Sequence, residues 1–238
     1  MKKTWIEAGL LAGLMAGPAA AVDCRHTDFD GAGFTLCTVQ PDQDLRLFLN
    51  DAAGRRFGQF SAVEAAVGPL SFAMNAGMYH ADYSPVGLYI EEGRQVTPLV
   101  TDAGPGNFGL LPNGVFCLGE GFAVIEARQF QREAPACRFA TQSGPMLVID
   151  GALHPRFIPD SDSRYVRNGV GILPDGAAVF AISDGAVNFD HFGRLFRDAL
   201  GVRNALYLDG SISRLHAPGI GRSDFGFAMG PIVAVIAP

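Results

Sequence analysis

Past Lys3 the chain contains no lysine: its 18 basic residues are Lys2, Lys3 and arginines. That absence removes Schiff-base chemistry, a pyridoxal phosphate anchor and the lysine of a phosphate-binding P-loop. There is no basic run, and the net charge is −6. The electrostatic footprint of a nucleic-acid binder is therefore missing, and nucleic acid is not an expected partner. A phosphate-bearing ligand would have to be held by individual arginines in a pocket. No internal repeat, low-complexity tract or Pro/Ser-rich linker divides the 238 residues, a length that suits one core and one domain.

The N-terminus is patterned for export. Met1-Lys2-Lys3, an apolar stretch from Ala8 to Ala16 and Ala19-Ala20-Ala21 form a secretory signal, with Glu7 an atypical acidic intrusion. The apolar stretch is short for a bilayer span, so cleavage after Ala21 is expected in preference to a retained anchor. This gives a leader over residues 1–21 and a mature domain over 22–238, periplasmic or secreted, without stable membrane insertion. Only four cysteines occur, Cys24, Cys37, Cys117 and Cys137. An even count in an exported chain points to two disulfides. Pairing Cys24 with Cys37 and Cys117 with Cys137 keeps both loops short. A zinc site is the rival, but no CxxC or HxxxH spacing supports it.

Strands read near 34–39, 45–49, 71–74, 86–90, 95–99, 114–118, 123–126, 146–149, 170–173, 177–183, 205–208 and 232–236, with a short helix near 61–67. A stronger helix starts after Asn188, a good N-cap, and stops before Gly201. Its Phe189, Phe192, Phe196 and Ala199 repeat at helical spacing and form an expected core face. Many strands, few helices and 30 glycines indicate an α+β fold, one domain with a large, mostly antiparallel mixed sheet.

The connectivity also locates a site. The runs flanking Pro174-Asp175-Gly176 read as a hairpin that places Arg167 opposite Ser183, beside Asp184. The second strand then leads through the helix into the run ending at Asp209. This C-terminal strand–helix–strand crossover makes the two strands parallel, so Asp184 and Asp209 share one end of the sheet. One arginine and two carboxylates converge there.

Other polar motifs have plainer readings beside functional ones. Asn75 in Met74–Met78 is either a ligand contact or ordinary Asn-x-Gly turn chemistry. Gln142-Ser143-Gly144-Pro145 precedes a strand and lacks GxSxG, so a ligand-facing turn is expected rather than a nucleophile elbow. Asp160-Ser161-Asp162 lacks the remaining ligands of a calcium loop. His80, His154, His191 and His216 have no metal-ligand spacing. His216 stands out because it closely follows Asp209, Ser211, Ser213 and Arg214. No cofactor and no metal are expected.

These motifs carry a resemblance. MNAGMY at 74–79, PVGLYIEEG at 85–93, GNFGLLPNGVF at 106–116, ATQSGPMLVIDG at 140–151, RNGVG at 167–171, FAIS at 180–183 and NALYLDGSIS at 204–213 resemble the phosphodiester glycosidase family. The match is closer to its bacterial, exported branch. It covers about residues 34–238. The chain departs from the family's Leu-Asp-Gly-Gly-Gly-Ser at Asp209-Gly210-Ser211-Ile212-Ser213, and from its arginine before a small hydroxyl residue at Arg167-Asn168.

The resemblance implies cleavage of a sugar–O–phosphate bond at the anomeric carbon of a small molecule or glycan. Such chemistry needs negative charge against an oxocarbenium-like transition state. The phosphodiester is a weakly basic leaving group, so an arginine can stand in for a proton donor. Arg167 is the expected phosphate anchor, with Arg214 second. Asp209 and Asp184 are expected as the catalytic and sugar-binding carboxylates, in either order. Asn75, Gln142, Ser143, Asn168, Ser211, Ser213, Arg214 and His216 are expected to contact substrate. A rim salt bridge between Arg167 and Asp184 is the plainer reading of that pair. Two other functions stay open, a non-catalytic glycan or cell-wall binding module and a metal-dependent phosphoesterase.

Overall fold

The computed structural model describes residues 21–238. The expected leader falls outside the described residues except for Ala21. The fold opens with a hairpin, β1 (Asp23–Phe29) and β2 (Ala32–Val39), turned by Asp30 and Gly31 at φ 47° and 78°. Two consecutive positive φ values match the twist of paired strands. There follow β3 (Leu45–Phe48), α1 (Phe60–Val67), β4 (Leu70–Asn75), β5 (Tyr89–Glu91) and β6 (Arg94–Thr97). Next come β7 (Gly114–Leu118), β8 (Phe122–Glu126), α2 (Ala127–Glu133), β9 (Phe139–Ser143), β10 (Met146–Ile149) and β11 (Ala152–Leu153). The C-terminal part holds β12 (Asn168–Ile172), β13 (Ala178–Ser183), α3 (Phe189–Arg194), β14 (Ala205–Asp209), β15 (Leu215–Ala217), β16 (Arg222–Ser223) and β17 (Ile232–Ile236).

The fold is α+β, with its strands distributed over three antiparallel sheets. Seven strands run in the order β1-β2-β13-β12-β14-β10-β11, five in the order β16-β15-β4-β17-β3, and five in the order β6-β5-β9-β7-β8. One apolar core draws on all three, for example Phe180 and Val170 from the first, Phe72 and Val233 from the second, and Phe116 and Phe139 from the third. Each sheet is also backed by a helix. Phe60 and Val63 of α1 pack with Ala73 and Ala234, Phe130 of α2 with Val115 and Ala140, and Phe192 of α3 with Val179 and Ala181. Strands covered on both faces lose the polar alternation of a surface strand. β13 shows it: Ala178, Phe180 and Ile182 face the shared core, while Val179 and Ala181 face α3.

The expected hairpin pairs Asn168 with Ile182, and Ser183 N–H donates to Arg167 O at 2.9 Å. β12 then lies between β13 and β14, antiparallel to both, so the crossover through α3 leaves β13 and β14 parallel but not adjacent. α3 is capped by Asn188, whose side chain accepts from His191 N–H at 2.9 Å. Gly169 and Gly171 let the helix approach: a Cβ at Gly171 would sit 2.9 Å from the Phe196 ring, and one at Gly169 3.2 Å from that of Phe192. The expected core face fails at Ala199, which is exposed. Leu195–Ala199 forms a π-turn, with Leu200 N–H bonded to Leu195 O. The wider turn rotates the stripe, and Leu195 and Val202 fill the place assigned to Ala199.

Five strands were not expected from the sequence. β1 is a polar edge strand, β9 carries Thr-Gln-Ser, and β11, β15 and β16 are only two or three residues long. Among the described residues no helix is long and apolar enough to cross a membrane.

Both bridges are formed. Cys24–Cys37 joins directly opposed residues of β1 and β2, and Cys117–Cys137 ties β7 to the segment after α2. Mass mapping of the native, unreduced protein should find no alkylatable thiol. Replacing either pair by serine should cost about 2–4 kcal/mol in chemical denaturation, because each bridge closes a short loop.

Candidate active site

Asp209 ends β14 and is 7% exposed. The chain curls around its carboxylate: Oδ1 accepts from Gly210 N–H at 2.6 Å and Ser211 N–H at 3.0 Å, and Oδ2 accepts from Ile212 N–H at 3.2 Å. This is the short-range acceptor chemistry that favours Asp at turns. Asn75 Nδ2, at the end of β4, approaches Oδ2 at 3.5 Å. No cation pairs with Asp209 among the described residues. Burial pushes its carboxyl above the usual carboxylate range, and the three backbone donors act against that rise.

Behind Asp209 lies a fully buried amide bridge. Asn168 Nδ2 donates to Asn75 O at 2.9 Å and to Asn75 Oδ1 at 3.2 Å, and Asn75 Nδ2 returns to Asn168 Oδ1 at 3.2 Å. Arg214 N–H donates to Asn75 Oδ1 at 2.9 Å. Ser213 Oγ lies 2.9 Å from both Val166 O and Asp209 O, which share its single proton. β4, β12, β14 and the turn before β15 are thereby held in one network.

In front of Asp209 opens a cavity of about 670 Å³. Asp209 is its only carboxylate among the described lining residues, which also include His80, Asn107, Ser163, Tyr207 and Ser211. Tyr79 lies in the same wall, donating to Ala228 O at 3.2 Å. Burial, reinforced by the charge of Asp209, pushes its phenol up to about 12, so it is a neutral donor at physiological pH.

Of the residues singled out in the sequence, Asp209 and Ser211 line this cavity. The others stand elsewhere. Asp184 does share the sheet end with Asp209, but β12 separates their strands, which sets them roughly 10 Å apart at the backbone. Its carboxylate is engaged by Arg222 Nη1 at 3.1 Å, Thr35 Oγ1 at 3.3 Å and His26 Nδ1 at 3.0 Å. The rim salt bridge goes to Arg222, not Arg167. Arg167 is fully buried behind the cavity wall and bonds no carboxylate. Asn75, Asn168 and Ser213 support Asp209 from behind.

Gln142 is spent on backbone. It accepts from Leu88 and Val100 N–H, both at 3.0 Å, and donates to Val100 O at 2.5 Å and Asn113 Oδ1 at 3.2 Å. Ser143 Oγ donates to Leu208 O at 3.0 Å. Arg214 holds Gln59 Oε1 at 3.1 Å and Phe227 O. His216 sits between Ser223 Oγ at 2.9 Å and Glu64 Oε1 at 3.4 Å. These last four are packing and loop anchors because the strand ends they occupy face neighbouring sheets or loops rather than the opening. Among the described residues no three His, Cys, Asp or Glu are grouped to hold a metal.

The lining residues Tyr79, His80, Asn107, Tyr165 and Tyr207 were missed. Tyr207 lies two residues before Asp209, but a register irregularity interrupts the alternation of β14 between them, so strand period did not place it in the cavity. The others sit on loops whose direction only tertiary contacts determine.

A model of the phosphodiester glycosidase family matches residues 69–216. The chain belongs to the phosphodiester glycosidase family. That stretch of the chain runs from the start of β4 to β15 and so includes every element of the Asn75–Asn168–Asp209 network. The chain is 38% identical over 205 residues to the uncharacterized Escherichia coli K12 protein YigE, covering 84% of this chain and 80% of that one. The fold is similar to the catalytic domain of zebrafish N-acetylglucosamine-1-phosphodiester α-N-acetylglucosaminidase, a structure auto-inhibited by its pro-peptide. There the TM-score is 0.62 at 13% identity, over 91% of this chain and 82% of that one. A hypothetical protein from Synechocystis gives a TM-score of 0.62 at 14% identity, over 91% and 62% of the respective chains.

Gly210 is a stringent position in this family member. A Cβ there would lie 1.9 Å from Tyr207 Oη, so the phenol, which accepts from Arg167, would have to shift. Gly210→Ala should destabilise the protein by about 1–3 kcal/mol, the usual penalty of overpacking. Urea denaturation checks this; an unchanged midpoint would show that the phenol swings away at no cost.

Proposed function

We propose that the protein is an exported glycosidase that cleaves the bond between a sugar's anomeric carbon and the oxygen of a phosphodiester. The observation that supports this reading most is Asp209, buried, unpaired with a cation and the only carboxylate among the described residues lining a cavity large enough for a sugar phosphate. Glycosidases acting on poorly departing alcohols need a second carboxyl as proton donor. Here water supplies the oxygen of the new bond at the anomeric carbon and a phosphate monoester departs as a stable anion, so no second carboxyl is needed to protonate the leaving group. Asp209 supplies the negative charge that faces the positive charge developing at the anomeric carbon. Its backbone donors hold it in place before substrate arrives, which is the arrangement that electrostatic catalysis favours. The two disulfides support an oxidising compartment and hence export.

The family neighbour's substrate supplies the first probe, the methyl diester of α-N-acetylglucosamine 1-phosphate, used within a panel of sugar-1-phosphate methyl diesters. Release of free sugar from at least one is expected. Binding without release across the panel would instead identify a glycan-binding module, and loss of release with chelator would point to a metal-dependent phosphoesterase.

Asp209→Asn should lower the turnover rate at least about a hundredfold, roughly 2.7 kcal/mol. The amide keeps an acceptor for Gly210 and Ser211 but turns donors toward Ile212 N–H and Asn75. A stability loss of about 1–2 kcal/mol is therefore expected, partly offset by removal of a buried charge. Full turnover by the folded variant would move the catalytic role away from Asp209.

The pH profile is a separate check. Because the Asp209 carboxyl is raised by burial, the acid limb of kcat/KM should lie above the ordinary Asp value of about 3.9. Stability runs the other way. The folded state holds this proton more tightly than the unfolded state, so the contribution of Asp209 is present below the unfolded value and lost as pH rises through the folded one. In Asp209→Asn that decline should disappear from a stability–pH curve.

A further inference from the structure

Arg167 is among the bulkiest fully buried side chains in the protein. Its guanidinium donates to Val187 O at 2.9 Å, Ser163 O at 2.9 Å and Tyr207 Oη at 3.2 Å. All three partners are uncharged, and two of its five N–H groups remain unspent. Ring faces surround it, with Phe189 at 3.7 Å, Tyr207 at 5.3 Å and Tyr165 at 5.4 Å from the guanidinium carbon. Aromatic faces offset only part of the desolvation of a cation. A buried positive charge behind the wall of a cavity, with no counter-ion among the described residues, is prepared for an anion.

Tyr207 stands between that charge and the cavity, which its own side chain helps to line. A guanidinium can only donate, so Tyr207 Oη accepts from Arg167 and its own O–H remains to be given. No acceptor for that proton occurs among the described residues. The missing side chain at Gly210 is what lets the phenol approach the Asp209 turn: a Cβ there would meet Oη at 1.9 Å and Arg167 Nη1 at 3.6 Å. Tyr207 and Asp209 both line the cavity, from either side of a register irregularity in the pairing of β14 with β12.

We propose that Tyr207 grips the phosphodiester, donating its phenolic proton to a non-bridging phosphate oxygen while it accepts from Arg167. The buried guanidinium thus neutralises the leaving group through Tyr207, and Arg167 is a positioning residue that need not touch substrate. This rests on the reading of the cavity as a sugar-phosphodiester site, and it assigns the half of that site opposite Asp209.

The test separates the anion subsite from turnover. Binding of dimethyl phosphate, a phosphodiester anion without a sugar, is measured by phosphorus NMR titration against uncharged trimethyl phosphate. The wild-type protein should bind the anion in preference to the neutral ester. Tyr207→Phe should weaken anion binding at least about tenfold, and Arg167→Lys similarly, because lysine cannot hold Val187 O, Ser163 O and Tyr207 Oη together. Asp209→Asn should bind the anion at least as well as wild type, since it removes a like charge. A merely structural role for Tyr207 would weaken both esters alike.

Near-UV circular dichroism checks folding; if Arg167→Lys does not fold, Tyr207→Phe decides alone, since it loses a single oxygen. Anion binding unchanged in Tyr207→Phe, or no preference for the anion in wild type, overturns the proposal. Tyr207-dependent anion binding without turnover of any sugar-1-phosphodiester would leave this subsite standing and remove the glycosidase reading.

Discussion

The structure turns on the buried amide pair Asn75–Asn168. Asn75 ends β4 in one five-stranded sheet, and Asn168 opens β12 in the seven-stranded sheet. Their side chains exchange hydrogen bonds across the sheet junction. Thr141 Oγ1 on β9 donates to Ala76 O at 2.7 Å, and Ser143 Oγ reaches Leu208 O, so the third sheet joins at the same point. Polar groups in a dry junction must be satisfied completely or cost more than apolar packing. That requirement fixes the relative placement of three sheet ends, and Asp209 is positioned because its strand is one of them.

The same junction carries an unfavourable charge arrangement. Asp209 and Arg167 are both buried, carry opposite charges, and do not form a hydrogen bond or ion pair with each other. Asp209 is solvated by backbone N–H groups and Arg167 by carbonyls, a phenol and ring faces. Direct pairing would neutralise both and leave neither charge for a substrate. Keeping them apart costs stability, and the apolar core shared by the three sheets supplies the surplus that tolerates it. Asp184 shows the alternative outcome: a carboxylate at the same sheet end, with Arg222 and His26 available to it, becomes an ordinary surface ion pair.

Much of the C-terminal half was legible locally. Pro174-Asp175-Gly176 marks a turn, Asn188 a helix start and Gly201 a helix end, and each rule acts within a few residues. Register across that hairpin follows from turn length, which is why Arg167 opposite Ser183 could be placed. Strands lacking an apolar pattern were not legible: β9 buries Thr141, Gln142 and Ser143 because each side chain has a partner from another part of the chain.

The sequence by itself determined the strand-rich α+β class, the cysteine count that permits two bridges, the crossover that sends Asp184 and Asp209 to one sheet end, and the motifs of the family. These depend on period, turn chemistry and composition, all short-range properties. Only the tertiary structure decided that Asp209 faces the cavity while Asp184 does not, that Arg167 lies behind Tyr207, and that Asn75, Asn168 and Ser213 support Asp209 from behind. Which way a polar side chain at a strand end turns is set by the hydrogen-bond partners within reach, and those partners lie far along the chain, 139 residues apart for Arg214 and Asn75.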